Sequence, residues 1–366
     1  MDSITATVET ISEDSFPVAR IHRAELQSKN EDRTVVHHFE RGTIIAIFDG
    51  HCGSDLAIFA ADTLPPVIAE RLCNCVDVEA VLKETLEEFD QFLLSSVLEL
   101  FDEDEDWSDD KWLDLAEHVY PIIGYNYEYE SFRLGRRAAL GCTALIVFLD
   151  QSRTNLWVAS LGDSDAVCVH RSEDGKFPPL FLSERHNCSN PAELARMRDE
   201  HPDEDHAIMN DAAVLGCLRV TRSLGDHQLK VPLFMASRIM PYFYPSLLAP
   251  SDFKELTSYT PPYMSSTPAI RHHAVAPGDL FLLASDGLRD MLTVADDEKF
   301  PILIALAKGE PDARLGHECV AAQDGDNISM RIIENVLFGT DLEKKAQQLN
   351  HTADRDDISL VVLCIE

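Results

Sequence analysis

The chain has 366 residues, of which 45% are hydrophobic, so it can bury a substantial core and is not disordered as a whole. Its 64 acidic residues outnumber 31 basic ones, which gives a formal net charge of -33. A surface of this charge repels phosphate backbones and anionic lipids, so composition argues against binding to nucleic acids or membrane surfaces.

Cysteine usage and the first residues bear on the compartment. The nine cysteines are scattered without a C-x-x-C motif, and we interpret them as buried thiols of a reducing compartment. The closest pair, Cys73 and Cys75, has no neighbours that complete a zinc spacing. Four acids precede Arg20, which argues against a secretory signal and a mitochondrial presequence. No apolar run approaches the roughly 18 residues of a membrane span.

Short β-type runs and helical segments follow one another in blocks along the chain. Strands rich in β-branched and large apolar residues are predicted at 43–48, 143–149, 155–161, 165–170, 279–285 and 358–365. Apolar spacing predicts helices at 53–72, 78–100, around 191–200 and at 328–348. Because the elements do not alternate strictly, the pattern favours an antiparallel α+β architecture over a parallel doubly wound sheet.

The domain organisation is predicted to be simple. Residues 1–19 are expected to form an N-terminal tail, and residues 20–366 a single domain with insertions at about 101–135 and 226–270. The acidic run at 101–113 is not an EF-hand loop, since Trp107 and Leu113 stand where the motif needs Gly and Glu. We interpret that run as a solvated loop.

Acidic residues recur at the ends of the predicted strands. They are Asp49, Asp163 and Asp286 after three strands, and Asp356 and Asp357 before a fourth. An acid at one strand end is a common turn residue, but acids at four would repel one another at a shared rim unless a cation lay between them. Oxygen ligands without Cys or His suit Mg²⁺ or Mn²⁺ better than zinc. A similar stretch around Asp326 is followed by a helical pattern, so we do not count it as a ligand.

The first of these acids is followed by Gly50 and His51. Asp-Gly is a common way to reverse a chain, and in that interpretation His51 only caps the turn through a backbone hydrogen bond. In the alternative, Asp49 binds a metal ion and His51 is a proton donor beside it.

Seven motifs, in order along the chain, resemble the metal-dependent protein phosphatase 2C family. They are NEDR (30–33), FDGHCG (48–53), GCTA (141–144), LGDSDA (161–166), LRVTRSLGD (218–226), LLASDGLRD (282–290) and RDDISLVV (355–362). Within the family, the stretches at 190–205 and 260–270 and the ending ADRDDISLVV are similar to the pyruvate dehydrogenase phosphatase branch. The resemblance implies a central antiparallel β-sandwich flanked by α-helix pairs, with a two-metal site at one edge.

The resemblance also implies roles for individual residues. Asp49 would bridge two Mg²⁺ or Mn²⁺ ions, and the Gly50 carbonyl oxygen would bind one of them. The other expected metal residues are Asp286 and Asp356 in the shell of one ion, Glu31 and Asp32 through water, and Asp163, with Asp286, at a weaker third ion. His51 would protonate the departing serine or threonine oxygen of a phosphorylated protein substrate, while a metal-bound hydroxide attacks phosphorus.

Several positions depart from the family pattern or stay open. Gln27 occupies the place of the usual phosphate-binding arginine, and Arg20, Arg23, Lys29 or Arg33 are the candidates to replace it. Asp165 and Arg289 replace a common Arg and Trp, and we expect neither to touch the metal set. Thr143 is either a hydrogen-bond partner of the site or a plain β-former. Arg222 and Asp226 are interpreted as bracing the fold around the site.

The sequence thus predicts a metal-dependent protein serine/threonine phosphatase. The alternatives are a pseudophosphatase that binds phosphoproteins without turnover, motivated by Gln27, and an acidic cation-buffering protein, motivated by the net charge. The first residues favour the cytoplasm, and the branch resemblance gives the mitochondrial matrix as the alternative. The physiological substrate and the oligomeric state are not predicted.

Overall fold

The structure is a computed structural model that describes residues 3–12, 16–100, 128–170, 178–204, 207–209, 213–244, 258–350 and 355–366. The acidic run at 101–113 lies outside the described residues, as do the rest of the 101–127 segment and the middle of the 226–270 connection. Within the described part, no helix is both long enough and apolar enough to cross a membrane.

The described elements are fourteen strands and ten α-helices. The strands are β1 (Thr5–Ile11), β2 (Ala19–Leu26), β3 (Arg33–Phe39), β4 (Gly42–His51), β5 (Gly141–Asp150), β6 (Asn155–Leu161), β7 (Asp165–Val169), β8 (Pro179–Phe181), β9 (Ile208–Met209), β10 (Ala213–Val214), β11 (Leu224–Gly225), β12 (Ala269–Ala274), β13 (Leu280–Ala284) and β14 (Ile358–Ile365). The helices are α1 (Asp55–Asn74), α2 (Val78–Leu98), α3 (Glu130–Ala139), α4 (Pro191–Glu200), α5 (Leu233–Arg238), α6 (Met240–Phe243), α7 (Asp286–Asp290), α8 (Asp296–Ala307), α9 (Ile328–Leu337) and α10 (Leu342–Asn350).

Two antiparallel sheets form the centre of the molecule. The first has the strand order β1-β2-β14-β13-β7-β8, and the second has the order β12-β6-β5-β4-β3, with β11 paired to β5. Side chains of β4 and β5 such as Ile45 and Val147 pack against Phe281 and Val361 of the other sheet in one buried cluster. Because strands buried on both faces need no polar side, β5 is a nearly continuous apolar run.

Helices cover both outer faces of this sandwich. Helices α1 and α2 pack on the outer face of the β4–β5 sheet, where Leu64 and Leu86 join Phe48 in one cluster. Helices α8 and α9 cover the other sheet, with Ile302 and Ile332 in a cluster with Leu360. Strands between helix layers confirm the predicted α+β class, an antiparallel sandwich flanked by helices.

Two expectations from the sequence differ from the structure. Residues 5–11, predicted as part of a tail, form edge strand β1, because the segment is rich in β-branched residues and its backbone pairs antiparallel with β2. The helix predicted at 328–348 is two helices, since Gly339 has a φ of 56° and its N–H donates to Glu334 O at 2.8 Å in a helix-ending turn. We still propose the division into one domain with two insertions.

The segment around Asp326 begins a helix, as its pattern predicted. Asn327 is the N-cap of α9, and its Oδ1 accepts a hydrogen bond from Met330 N at 3.0 Å. Asp326 lies near Arg331, with 3.6 Å between Oδ2 and the guanidinium Nε. It is not among the residues that line the acidic pocket described next.

Candidate active site

The ends of several strands bring the predicted acids to one pocket of about 220 Å³. Asp49 and Gly50 lie near the end of β4, Asp163 follows β6, Asp286 follows β13, and Asp356 precedes β14. The pocket is lined by Lys29, Glu31, Asp49, Gly50, His51, Thr143, Asp163, Leu218, Arg219, Val220, Asp286 and Asp356. Asp32 is the one predicted metal residue outside this lining; it is buried, with 1% of its surface exposed.

We define the pocket floor as Asp32, Asp49, Asp163 and Asp286, whose pKa values are all raised. Burial is the main cause for each, and the neighbouring carboxylates add to it at Asp49. The pKa of Asp32 rises to about 8, and that of Asp286 to about 7. The charged forms of these acids are therefore costly without a cation beside them.

Buried oxygen atoms without hydrogen-bond partners also point to a cation in the pocket. Among the described residues, Asp32 Oδ2 and Thr143 Oγ1 are buried without a hydrogen-bond partner. Thr143 lies directly opposite Asp49 in the β4–β5 pairing. Buried polar atoms without partners are uncommon, and a site whose donors are all oxygen suits Mg²⁺ or Mn²⁺.

A second pair of acids, Asp226 and Asp357, fixes the positions of other residues of the pocket, and we call this pair the frame. Asp357 accepts hydrogen bonds from five consecutive backbone N–H groups, those of residues 28–32. The distances include 2.7 Å from Lys29 N and 3.1 Å from Asp32 N. Burial would raise the pKa of Asp357, but these N–H donors lower it. The loop that carries Glu31 and Asp32 is therefore shaped by the residue next to Asp356.

Asp226 is the other half of the frame and holds His51. Its fully buried carboxylate lies 2.9 Å (Oδ2) and 3.1 Å (Oδ1) from His51 Nε2, and Ser223 Oγ donates to Oδ2 at 2.5 Å. Burial would lower the pKa of His51, but Asp226 more than offsets this and raises it. The pKa of Asp226 is lowered because His51 opposes the effect of burial.

The close packing of this pair explains the glycine of the GCTA motif. Gly141 lies opposite His51 in the β4–β5 pairing. A Cβ atom at Gly141 would overlap both His51 Nε2 and Asp226 Oδ2. Only glycine therefore leaves room for the hydrogen bond between them.

The substituted positions Asp165 and Arg289 form an ion pair beside the floor. Arg289 Nη1 donates to Asp165 Oδ2 at 2.7 Å and to the Asp163 carbonyl oxygen at 3.0 Å, and Arg289 Nη2 lies 3.8 Å from Asp163 Oδ2. Arg185 binds the other oxygen of Asp165 at 2.8 Å. The expectation that neither substitution touches the metal set was wrong for Arg289, because its long side chain reaches a floor acid. The negative charge of Asp165 and the positive charge of Arg289 neutralise each other.

Only one of the four candidates for the missing arginine lines the pocket. Lys29 does so, with its Nζ 3.2 Å from Asp356 Oδ1, whereas Arg20 pairs with Glu366. Arg219, which the sequence did not single out, is the other cationic lining residue. Gln27 donates to the Asp32 carbonyl oxygen at 3.2 Å and does not line the pocket.

Two further residues behave as braces. Arg222 binds Glu193 with Nη2 to Oε1 at 2.6 Å, which agrees with the interpretation that it supports the fold. Asp226 was given the same role, but its contact with His51 puts it next to the candidate proton donor. The GD ending of LRVTRSLGD was the sequence signal, although no local pattern pairs it with residue 51.

Comparison with known proteins agrees with this geometry. Residues 126–297 match the family model "Protein phosphatase 2C". Human [pyruvate dehydrogenase [acetyl-transferring]]-phosphatase 2, mitochondrial, is 34% identical over 219 residues, which are 59% of this chain and 39% of that protein. The phosphatase 1 from Pongo abelii is 27% identical, over 66% of this chain and 50% of its own length. The chain thus spans half or less of these relatives.

More complete matches come from other branches. "Probable protein phosphatase 2C 29" of Oryza sativa subsp. japonica is 26% identical over 92% of this chain and 76% of that protein. Among solved structures, a phosphatase from Toxoplasma gondii has a TM-score of 0.54 at 16% identity, covering 99% of this chain and 96% of that one. A C. elegans sex determining protein has a TM-score of 0.52 at 18% identity and covers 99% of this chain and 64% of its own. The last two likenesses concern the fold.

The family match, the relatives and the two-sheet fold agree with the seven motifs of the sequence. The chain is therefore similar to the protein phosphatase 2C family, and within that family it resembles the pyruvate dehydrogenase phosphatases.

Proposed function

We propose that the chain is a metal-dependent protein serine/threonine phosphatase. The observation that carries the proposal is the convergence of carboxylates from separate strand ends on one pocket, with His51 in its lining. The raised pKa values of the pocket floor support it, because such acids are stabilised in their charged form by a divalent cation.

Side-chain and backbone oxygen atoms of the pocket would bind two metal ions. Asp49 interacts electrostatically with Asp32, Asp286, Asp163 and Asp356, and it would be a ligand of both ions, with the Gly50 carbonyl oxygen on one. The remaining oxygen donors are Asp286, Asp356, Glu31 and Asp32. Bound Mg²⁺ or Mn²⁺ supplies Lewis acidity, which lowers the pKa of a bound water and neutralises phosphoryl oxygens.

His51 is proposed to give a proton to the departing serine or threonine oxygen. Its Nε2 is held by Asp226, so the proton to be transferred would leave from Nδ1 of the imidazolium. The pKa of His51 is raised by Asp226 against the effect of burial, which favours the protonated ring that this role needs.

Lys29 and Arg219 are proposed to bind the phosphoryl group in place of the usual arginine. They are the two cationic residues among those described in the pocket lining. Each would give a charge-assisted hydrogen bond to an anionic oxygen. Lys29 pairs with Asp356, and its side chain is about half exposed, so it can turn towards a substrate at little cost.

Asp163 is proposed to bind a third ion weakly. Arg289 already places a positive charge beside it, and Asn187 Nδ2 donates to its Oδ2 at 3.0 Å. A guanidinium there repels a further cation, so Arg289 lowers the affinity of this position.

The test is hydrolysis of phosphoserine and phosphothreonine peptides with Mg²⁺, with Mn²⁺ and with a chelator. We expect turnover that needs the metal and that falls at least about 100-fold in Asp49→Asn, since losing a ligand costs more than losing an outer-shell partner. Asp326→Asn is the matched control, because it removes the same charge outside the pocket. Tight phosphopeptide binding without metal-dependent turnover in the parent protein would overturn the proposal and identify a pseudophosphatase.

The substrate and compartment are proposed from the relatives. The relatives that cover part of this chain are named as pyruvate dehydrogenase phosphatases and as mitochondrial. By that likeness, a phosphoserine of a dehydrogenase complex in the matrix is the candidate substrate, and the cytoplasm is the alternative compartment. A peptide panel for the substrate and imaging of a fluorescent fusion in cells decide between these.

A further inference from the structure

A cluster of metal-binding side chains lies at the end of the sandwich opposite the acidic pocket. Cys168 comes from β7, His273 from β12, and Asp279 directly precedes β13. Asp286 of the pocket follows the other end of β13, so the whole strand separates the two places. The cluster takes Cys168 and Asp279 from one sheet and His273 from the other, and therefore lies across the two layers.

The three side chains present their donor atoms to a common point. Cys168 Sγ is 3.5 Å from His273 Nε2, which in turn is 3.3 Å from Asp279 Oδ2, and all three atoms lie within 4.8 Å of one another. In a tetrahedral zinc site with Zn–S near 2.3 Å and Zn–N and Zn–O near 2.1 Å, the corresponding edges are about 3.6 and 3.4 Å. Both measured distances match those edges.

The surroundings hold these side chains in place. Asp279 Oδ2 accepts from Ala276 N at 2.8 Å, and His170 Nδ1 lies 2.6 Å from Asp279 Oδ1. The His273 ring packs edge-on against Phe281, with 5.6 Å between centroids. A carboxylate that is hydrogen-bonded through its second oxygen is typical of metal sites, because such outer contacts fix the ligand.

Hydrogen bonding alone explains the cluster less well. His273 Nε2 has either one hydrogen or one lone pair, yet it faces both a thiol and a carboxylate oxygen. Cys168 and Asp279 are almost fully buried, so a poorly paired contact is costly there. One cation at the shared point satisfies all three donors together.

We propose that Cys168, His273 and Asp279 bind one Zn²⁺ that links the two sheets, with His170 orienting the carboxylate. Thiolate, imidazole and carboxylate together suit zinc rather than magnesium. On binding, the Sγ–Zn bond replaces the S–H bond and the thiol proton leaves to solvent. This zinc site is separate from the proposed catalytic ions.

The sequence hides such a site because no spacing motif marks it. His273 is 105 positions from Cys168, and only the contact between the sheets joins them. Our interpretation of the cysteines as plain buried thiols rested on the absence of close zinc spacings, so it does not apply to ligands brought together by tertiary structure.

The test uses the whole chain, stripped of metal and then given excess Mg²⁺ to occupy the oxygen ligands. Adding Co²⁺ as a probe is expected to give a thiolate-to-cobalt charge-transfer band that one equivalent of Zn²⁺ abolishes. Equilibrium dialysis should find one tightly bound Zn²⁺ per chain. Thermal unfolding should shift to a higher temperature with Zn²⁺, since the ion binds only the folded sheets.

Variants assign the ligands. Cys168→Ser and His273→Asn should each remove the band and weaken Zn²⁺ binding at least about 100-fold, whereas His170→Asn should weaken it about tenfold, as an outer-shell change does. Cys319→Ser is the matched control and should bind like the parent. The absence of the band in the parent protein, or unchanged binding in Cys168→Ser, would overturn the proposal. If a variant fails to fold, the spectrum of the parent protein decides alone.

Discussion

The pocket floor and the frame both consist of aspartates, yet their pKa values are shifted in opposite directions. The frame acids Asp226 and Asp357 are surrounded by hydrogen-bond donors, and their pKa values are lowered. The floor acids have fewer such partners, which do not offset their burial, and their pKa values are raised, to about 7 for Asp286. Residue type therefore does not distinguish a structural carboxylate from a metal-binding one; the number of donors that the fold supplies does.

The comparison also explains why the two sets lie side by side. Asp357 is adjacent to Asp356, and its hydrogen bonds shape the loop that carries Glu31 and Asp32. Satisfied acids thus fix the positions of unsatisfied ones. A site that must bind cations needs this rigid frame, because repulsion between unpaired carboxylates would otherwise separate them.

The largest expected effect is that of Asp286→Asn, which removes a floor charge. Activity should fall at least about 100-fold, since an inner-shell ligand is lost. In metal-free protein, however, the free energy of unfolding should rise by up to about 4 kcal/mol at pH 8, since each unit of the raised pKa of Asp286 corresponds to about 1.4 kcal/mol. The folded pKa of Asp286 is raised to about 7, so the parent protein loses stability as pH rises from its unfolded value through that pKa.

Urea unfolding of metal-free Asp286→Asn and the parent protein at about pH 4 and pH 8 checks this prediction, since the difference should nearly vanish at the lower pH. Adding Mg²⁺ should stabilise the parent more than the variant. A variant that is less stable than the parent at both pH values would break the distinction between floor and frame.

Asp226→Asn is next in size and concerns the proton donor. Losing the carboxylate beside His51 removes what raises the His51 pKa, so the alkaline fall in kcat should move to lower pH. We expect kcat to drop about 100-fold at pH 8, the lower end of the contribution of general acid catalysis. The measurement is kcat against pH, with Asp326→Asn as the matched control. Identical pH profiles for Asp226→Asn and the parent would contradict a role through His51.

A smaller effect is expected from Lys29→Met, which keeps the length of the side chain and removes its charge. If Lys29 binds the phosphoryl group, KM for a phosphopeptide should rise about tenfold, the value of one hydrogen bond to a charged group. Arg20→Met is the control, because Arg20 is also cationic but pairs with Glu366 away from the pocket. Equal KM values in the parent and Lys29→Met would assign the phosphate contact to Arg219.

The smallest effect on chemistry is expected from Asp357→Asn, which alters the frame. The variant should lose about 2 kcal/mol of unfolding free energy at pH 7, because an amide cannot accept the five backbone hydrogen bonds as well as a carboxylate. The lowered pKa of Asp357 means that its stabilisation is present above the unfolded value and is lost as pH falls through the folded one. Urea unfolding at several pH values measures this. A stability gain, as expected for Asp286→Asn, would contradict the prediction.

The sequence predicted most of the sandwich, since strands buried on both faces are continuous apolar runs such as 143–149. It also identified the acids at the strand ends, because each follows or precedes such a run. The sequence analysis missed β1, β2, β3, β12 and the short strands β8–β11. Strands β1, β3 and β12 are exposed or only half-buried, so they lack the continuous apolar run of a strand that is buried on both faces.

What the sequence could not predict are partnerships between distant residues. Asp357 and the N–H groups of residues 28–32 are more than 320 positions apart, and Arg289 reaches Asp163 across 126. A local pattern carries no information on such pairs, and the zinc ligands proposed for the far end of the sandwich belong to the same class. Tertiary structure alone decides which acids are satisfied.

The distance along the chain between Asp357 and the loop at 28–32 has a consequence during synthesis. A ribosome that has completed β13 has already made Asp49, His51, Asp163 and Asp286, but the loop still lacks its acceptor and β2 lacks its neighbour β14. The pocket is therefore completed only when the last strand inserts between β2 and β13. A polypeptide that stops before β14 would have these acids without the geometry that the proposed activity requires.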